Sequence, residues 1–262
     1  MRIATWNINS VRLRLPIVLR FLDEYQPDVL CLQETKTLDE FFPNEAFAAH
    51  GYAHMHIAGQ KSYNGVAIVA RVPLGARTVK HWCGKEDCRH IVGTFENGTE
   101  IHCLYIPAGG DIPDPDVNDK FKHKLQFVDE LTSWWQGERS ASKPMILVGD
   151  LNIAPLEHDV WSHKQLLKIV SHTPVEVEKL TAMQNSIGWV DAMRHFVPAD
   201  EKLYTWWSYR NNDWRLSNRG RRLDHIWVTP PLKDALRGMQ IAVDVRDWAP
   251  PSDHVPVMID LD

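Results

Sequence analysis

Apolar residues along the chain recur at two spacings, which predict strands and helices in alternation. Short apolar runs predict strands at residues 3–7, 29–32, 63–70, 101–106, 145–148, 223–228 and 255–261. Helical spacing follows Pro16 and returns between Phe121 and Trp135. A capping box at 173–176 begins a third helix, which is expected to end before Gly188. No linker or composition break interrupts the alternation, so we expect one α/β domain over residues 1–262.

Polar residues stand at the ends of five of these strands. Three strands run into such a residue and the last two strands begin after one or two: Asn7, Glu34, Asp150, Asp224, Asp253 and His254. In mixed sheets, with the last two strands antiparallel to the first three, all of these ends would meet at one rim. The same polarity is compatible with scattered strand ends, so the shared rim is a hypothesis.

Composition and charge narrow the class of protein. With 44% hydrophobic and 24% charged residues, the chain has the composition of a globular protein. Neither an apolar signal region near Met1 nor a run of about 20 apolar residues is found, so no membrane association is expected. Cys31 and Cys103 lie inside apolar runs, which indicates reduced core residues and a cytoplasmic location.

The net charge of −5 argues mildly against a nucleic-acid partner. Phosphate groups respond to the local surface, however, so an acidic average does not exclude a basic DNA-binding patch.

Residue types at the strand ends point to hydrolysis of a phosphate ester. Carboxylates, amides and a histidine without cysteine ligands favour Mg²⁺, with Mn²⁺ as a substitute, over zinc. Phosphodiester cleavage needs an activated water, a cation, charge neutralisation and help for the leaving oxygen, and these residues can supply each. Each also has a structural alternative: Glu34 as the end of a strand, and Asp150 as part of an Asx-type turn.

Six short motifs together carry a resemblance to a known family. They read Trp6-Asn7-Ile8-Asn9, Leu32-Gln33-Glu34-Thr35-Lys36, Tyr63-Asn64-Gly65-Val66-Ala67-Ile68, Gly149-Asp150-Leu151-Asn152, Arg222-Leu223-Asp224-His225 and Ser252-Asp253-His254. In this order they resemble the exonuclease III family of apurinic/apyrimidinic endonucleases, part of the endonuclease/exonuclease/phosphatase superfamily. The resemblance implies a four-layer α/β sandwich, in which two packed mixed β-sheets are flanked by helices. It also implies a monomeric hydrolase that acts on double-stranded DNA with abasic sites or 3′ ends.

Roles follow from the resemblance residue by residue. Glu34 resembles the main metal ligand, and Asp150 resembles the base that activates water. His254, held by Asp224, resembles the group that stabilises charge on the phosphate, and Tyr105 and Asn152 look like phosphate contacts. The set from which ligands for one or two metal ions are expected is Asn7, Glu34, Asp150, Asn152, Asp253 and His254.

The segment 205–222 is the candidate DNA-binding surface. From Arg210 onward it holds five arginines against the single acid Asp213, with tryptophans interleaved, a composition suited to a phosphate backbone beside an unstacked sugar. The alternative is a tryptophan-rich core with a solvated basic loop. The expected DNA contacts are Trp206, Arg210, Arg215, Arg219, Arg221 and Leu223. By resemblance, Trp206 and Leu223 line a pocket for a baseless sugar, whereas Arg221 stands where relatives often carry an apolar or aromatic residue.

Several alternatives remain open from sequence alone. Relatives of the same superfamily hydrolyse small molecules or lipids, and a shared catalytic core does not name the substrate. A non-catalytic DNA-binding module would need a broken core position. The sequence does not rank abasic cleavage, 3′-exonuclease and 3′-phosphatase activity. The cluster His81, Cys83, Cys88 and His90 has a zinc-like composition but is expected to be a surface hairpin.

Overall fold

The computed structural model describes residues 1–210 and 213–262. Asn211 and Asn212, within the candidate DNA-binding segment, lie outside the described residues. The strands are β1 (Arg2–Asn7), β2 (Val29–Gln33), β3 (His54–Ala58), β4 (Val66–Ala70), β5 (Thr78–Trp82), β6 (Lys85–Thr94), β7 (Glu100–Tyr105), β8 (Met145–Asp150), β9 (Val190–Asp191), β10 (Trp206–Trp207), β11 (Gly220–Arg221), β12 (Asp224–Val228), β13 (Leu236–Ile241) and β14 (Val257–Leu261). The α-helices are α1 (Leu15–Tyr25), α2 (Asn44–Ala49), α3 (Asp119–Glu138), α4 (His163–Leu166), α5 (Pro174–Asn185), α6 (Ala192–Phe196) and α7 (Trp214–Ser217).

Two mixed sheets of six strands form the centre of the fold. Their strand orders are β13-β14-β1-β2-β4-β3 and β5-β6-β7-β8-β12-β9. The first sheet pairs β1 with β2 in parallel and with β14 in antiparallel orientation. The second pairs β7 with β8 in parallel and β8 with β12 in antiparallel orientation. The expected reversal of the last two strands is therefore confirmed.

Alternation along each strand assigns its side chains to two different cores. In β2, Val29 and Cys31 face the core between the sheets, whereas Leu30 and Leu32 pack with α1 on the outer face. In the second sheet, Ile146 and Val148 face inward, while Leu147 packs outward with residues of α3 and α5. Because successive strand residues point to opposite faces, this sequence pattern produces helix, sheet, sheet and helix layers. The four-layer α/β sandwich is confirmed.

Most predicted elements agree with the structure to within two residues. The strand expected from residue 63 begins later, at Val66, because Ser62, Asn64 and Gly65 have φ values of 60°, 43° and 92°, outside the strand region. The helix after the capping box ends at Asn185, and Gly188 follows with φ 71° at the end of the next turn. In the described part of the chain, no helix is both long and apolar enough to cross a lipid bilayer.

Candidate active site

The rim where the two sheets meet is lined by inward-facing residues from the strand ends. In β8, Ile146, Val148 and Asp150 share the inner face, and Asp150 lies directly opposite Asp224 of β12. Tyr105 of β7 lies beside Asp150 in the parallel register. The site is therefore built where the apolar core between the sheets ends in polar side chains.

Gly149 is required by this packing. Its φ is +146°, and a Cβ added there would lie 1.9 Å from the carbonyl oxygen of Leu104. Any other residue would push β8 away from β7 next to the site. The glycine of the Gly149-Asp150 motif is thus explained by close approach of two strands.

Glu34 is the centre of the first polar group. Its Oε1 accepts hydrogen bonds from Asn7 Nδ2 and from the Tyr105 hydroxyl, both at 2.9 Å. Its Oε2 lies 2.8 Å from Lys36 Nζ. Burial raises the pKa of Glu34, but Lys36, Asn7 and Tyr105 outweigh it, so the pKa lies below its ordinary value and the carboxylate is ionised.

Two oxygen atoms, Glu34 Oε2 and Asn9 Oδ1, converge on the positive charge of Lys36. The Lys36 ammonium lies between Glu34 Oε2 and Asn9 Oδ1, 2.5 Å from the latter. Glu34 and Lys36 both have φ 51°, a left-handed conformation that turns the chain at this point. Because carboxylate and amide oxygens are the ligands that hard divalent cations prefer, this group fits a metal ion of the Mg²⁺ type.

Asp150, Asp224 and His254 form the second polar group. His254 Nδ1 lies 2.8 Å from Asp224 Oδ2, and His254 Nε2 lies 3.6 Å from Asp150 Oδ2. Burial lowers the pKa of His254, but the carboxylates of Asp224 and Asp150 outweigh burial and raise it to about 10. The ring is therefore an imidazolium that can donate from both nitrogens at neutral pH.

This second group has the composition of a metal site, since its ligand atoms lie within 4.8 Å of one another. A protonated imidazole, however, has no lone pair to offer a cation. Without a metal ion the arrangement is a histidine held between two acids, and a bound cation would require His254 to release its proton. Four of the six expected ligands thus divide between the groups, with Asn7 and Glu34 in the first and Asp150 and His254 in the second.

Asp150 joins the two groups. Its Oδ2 accepts from Asn7 Nδ2 at 2.9 Å and its Oδ1 accepts from the backbone N–H of Asn152 at 2.9 Å. Burial raises the pKa of Asp150 to about 7, with repulsion from Asp224 and Glu34 in the same direction, and with His254 and the Asn7 hydrogen bond opposing it. A carboxylate tuned to neutrality is suited to accept a proton from water.

Asn152 and Asp253 border the same site. Asn152 has φ 54° and donates from Nδ2 to the carbonyl oxygen of Ile106 at 2.9 Å. Asp253 Oδ2 accepts from Trp206 Nε1 at 2.9 Å. This contact ties an expected metal ligand to the wall of the neighbouring cavity.

A cavity of about 640 Å³ opens beside these two groups. Besides Glu34, Asp150, Asn152, Asp253 and His254, its walls include the candidate DNA contacts Trp206, Arg210, Arg219, Arg221 and Leu223. Five of the six expected DNA contacts therefore line one cavity with the catalytic candidates. Ser171 lines it too.

Arg215 does not line this cavity. Its guanidinium forms ion pairs with Asp244 at 2.6 Å and Asp247 at 2.7 Å. Another of the five arginines, Arg222, is fully buried and paired with Asp159 and Asp191. Two of the five positive charges counted in the segment are thus already neutralised by acids of the protein, Arg215 at the surface and Arg222 in the interior.

Lys36 and Asn9 are site residues that sequence reasoning did not single out. Both lie in quoted motifs, so their position was visible. Lys36 contacts both Glu34 and Asn9, and this arrangement depends on the left-handed backbone at Glu34 and Lys36, which residue types alone do not reveal.

The zinc-like cluster is not assembled by the described residues. Cys83 Sγ faces the carbonyl oxygen of His123 at 4.0 Å, Cys88 Sγ contacts that of Gly59 at 3.4 Å, and His90 bonds to His102. The segment forms the β5–β6 hairpin, as expected.

Comparison with known proteins identifies the family and the fold. The model of the endonuclease/exonuclease/phosphatase family matches residues 4–254. The chain belongs to this family. Exodeoxyribonuclease III of Haemophilus influenzae is 30% identical over 98% of both chains, so the predicted resemblance to exonuclease III is confirmed.

Solved structures show the same fold over the whole chain. An AP endonuclease from Archaeoglobus fulgidus is similar, with a TM-score of 0.92 and 32% identity, covering 100% of this chain and 99% of that one. A 3′ phosphatase from Neisseria, bound to a product DNA hairpin, has a TM-score of 0.91 and 32% identity at the same coverage. The family is metal-dependent, and Asp150, Asp224 and His254 offer this chain a possible metal site.

Proposed function

We propose that this protein is a DNA-repair phosphodiesterase of the exonuclease III type, cleaving DNA 5′ to abasic sites, acting on 3′ ends, or both. The observation that carries the proposal is the shared cavity, in which Asp150 and His254 face three arginines and Trp206. The named relatives include an exodeoxyribonuclease, an AP endonuclease and a 3′ phosphatase, all of which act on DNA phosphate esters.

The proposed reaction assigns one task to each residue of the second group. Asp150 accepts a proton from water, whose oxygen attacks phosphorus. The imidazolium of His254 donates hydrogen bonds to the phosphate as negative charge develops, and Asp224 fixes the orientation of the ring. The bond between phosphorus and O3′ breaks, O3′ leaves as a hydroxyl after taking a proton from solvent, and Asp150 returns to solvent the proton that it accepted.

Neighbouring donors complete the phosphate site. Asn152 keeps one amide N–H beyond its bond to Ile106, and it is proposed to donate that N–H to a phosphate oxygen. Tyr105 is proposed to do the same when its hydroxyl turns from Glu34. Burial, Glu34 and Asp150 raise the pKa of Tyr105 well above its ordinary value, so this hydroxyl remains a donor.

Glu34, with Asn7 and Asp253 at its border, is proposed to hold Mg²⁺, with Mn²⁺ as a substitute, and the number of ions is left to metal titration. A divalent cation there supplies positive charge to the phosphate oxygens. Lys36 already neutralises part of this group. We therefore expect the Lys36 side chain to give way when a divalent cation binds.

The cavity supports a DNA substrate over a small or lipid phosphodiester. Trp206 and Leu223 offer apolar walls for an extruded baseless sugar, which has little stacking to lose. Arg210, Arg219 and Arg221 add positive charge for the flanking phosphate backbone.

We further propose that the chain acts as a monomeric single domain over residues 1–262. Its four free cysteines suit a reducing cytoplasm.

A gel assay on three labelled duplexes tests the proposal. The duplexes carry an internal abasic site, a recessed 3′ end and a 3′ phosphate, each with Mg²⁺, Mn²⁺ or chelator. Metal-dependent cleavage of at least one is expected, and the three rates rank the activities. Hydrolysis of a small phosphodiester with all three duplexes left intact would favour the small-molecule alternative.

A further inference from the structure

Arg221 is held rigidly over one wall of the cavity. It lies on β11 opposite Trp206 of β10, with its guanidinium carbon 5.2 Å from the Trp206 ring centre. Its Nη1 donates to the carbonyl oxygen of Val170 at 3.0 Å and to Ser171 Oγ at 2.8 Å. Stacking and two hydrogen bonds therefore fix the plane of the guanidinium.

The charge of Arg221 has no acidic partner within ion-pair distance among residues 1–210 and 213–262. Its Nε is buried and has no hydrogen-bond partner in the same residues. The adjacent Arg222 is the opposite case, since Asp159 and Asp191 neutralise it at 2.8 and 2.6 Å. Burying a charge without a counter-ion costs free energy, so the Arg221 position is complementary to an anion from outside the chain.

Two further arginines add positive charge along the same cavity wall. Arg219 lies 4.7 Å over the ring of Trp161, and Arg210 lines the same space. Burial lowers the pKa of Arg221 while Glu176 opposes that effect, and the group remains a cation at any physiological pH. An uncharged sugar alone would leave this charge unpaired.

We propose that Arg221 forms an anion subsite next to the reacting phosphate, which selects esters whose pocket-side substituent carries a carboxylate or a second phosphate. The inference rests on the proposed phosphodiesterase function. Water oxygen joins phosphorus and gives its proton to Asp150, the bond to O3′ breaks, O3′ takes a proton from solvent, and the phosphate leaves with its anionic substituent. Two sources supply such a group: a 3′ end blocked by a carboxylate-bearing phosphate ester, or the next backbone phosphate of a continuous strand.

Matched substrates separate charge from shape. The first pair carries a 3′-phosphate ester of glycolate or of glycolamide, which differ only in the charge of the end group. The second pair carries an internal tetrahydrofuran abasic site followed by a normal phosphate or by a neutral methylphosphonate. Values of kcat/KM are measured in Mg²⁺ for wild type, Arg221→Gln and Arg221→Lys. Arg237→Gln serves as control, because Arg237 is an exposed arginine on β13 that pairs with Asp262.

Wild type should prefer the charged member of at least one pair by about 10- to 100-fold, the range of a charge-assisted hydrogen bond. Arg221→Gln should bring that ratio close to one, Arg221→Lys should keep part of it, and Arg237→Gln should keep all of it. A preference confined to the first pair identifies the blocked 3′ end as the ligand. A preference confined to the second identifies the next phosphate.

Equal rates within both pairs for wild type would overturn the subsite, as would a preference that persists in Arg221→Gln. If Arg221→Gln does not reach the wild-type melting temperature, the wild-type ratios and Arg221→Lys decide. The proposed function fails separately, because it predicts metal-dependent cleavage of some member of the two pairs irrespective of charge preference.

Discussion

Replacing Asp150 with asparagine should stabilise the metal-free fold while it removes turnover. Asp150 is 1% exposed, and burial raises its pKa from 3.8 to about 7. Asparagine keeps the shape of the side chain without the buried charge. As the proposed base is lost, we expect turnover to fall at least about 10²-fold.

The size of the stability gain follows from two opposed effects. Moving the pKa of one carboxyl from 3.8 to about 7 costs the ionised folded state about 4 kcal/mol at alkaline pH. Asparagine has one acceptor oxygen, so the hydrogen bonds from Asn7 and Asn152 cannot both be kept. A lost buried hydrogen bond costs about 1–3 kcal/mol, which leaves a net gain of about 1–3 kcal/mol at pH 8.

The pH dependence provides a second signature. Between pH 3.8 and about 7 the folded wild type holds a proton on Asp150 that the unfolded chain has released. Stability of the wild type therefore falls as pH rises through this window, and the asparagine variant lacks that fall. The stability gained by Asp150→Asn over wild type should be smallest near pH 3.8 and constant above about pH 7.

Urea unfolding in chelator at pH 5 and pH 8, followed by fluorescence of the 11 tryptophans, measures both effects. Asp159→Asn is the matched control. Asp159 is equally buried, but Arg222 and Arg194 outweigh burial and lower its pKa. Breaking that network should cost about 3–5 kcal/mol. Our reasoning is refuted if Asp150→Asn is less stable than wild type at pH 8, or if its advantage is the same at both pH values.

Further predictions concern metal, pH, substrate and salt. Glu34→Gln should raise the Mg²⁺ concentration needed for half-maximal rate and lower kcat, whereas full activity of wild type in chelator would exclude the metal role. The kcat/KM of wild type should rise with pH to a midpoint at or below about 7, as Asp150 loses its proton, and fall towards pH 10 as His254 deprotonates; a flat profile contradicts both assignments. Trp206→Ala should reduce abasic cleavage more than hydrolysis of a minimal phosphodiester, and equal losses would remove Trp206 from the sugar pocket. Arg219→Ala should lower the salt slope of DNA binding by about 1, with a smaller effect for Arg215→Ala, whose charge Asp244 and Asp247 already neutralise; equal slopes for wild type and Arg219→Ala contradict this.

The layers of the fold and the location of the rim could be predicted from sequence because both follow from local rules. Period-two alternation in β2 and β8 separates inner from outer side chains, and the antiparallel β12 brings Asp224 opposite Asp150. Charge partnership could not be predicted in this way. Arg215, Arg221 and Arg222 cannot be distinguished in the sequence. In the structure Arg215 is paired at the surface, Arg222 is buried in an ion-pair network, and Arg221 faces the cavity. Their partners come from segments up to 63 residues away along the chain, and pairing over such distances leaves no local pattern in the sequence.

The buried ion pair between Lys124 and Glu176 links the loop that carries Asn152 to the loop beneath Arg221. Lys124 of α3 donates to the carbonyl oxygen of Asn152 at 2.8 Å and pairs with Glu176 of α5, and both side chains are fully buried. Glu176 in turn accepts from the backbone N–H of Ser171 at 2.9 Å, and Ser171 accepts from Arg221. The loop that carries Asn152 and the loop beneath Arg221 are thus fixed to the same two residues. Because a buried ion pair adds little net stability over an apolar pair of similar volume, the clearest consequence of this one is geometric: the phosphate site and the cavity wall keep a fixed relation to each other.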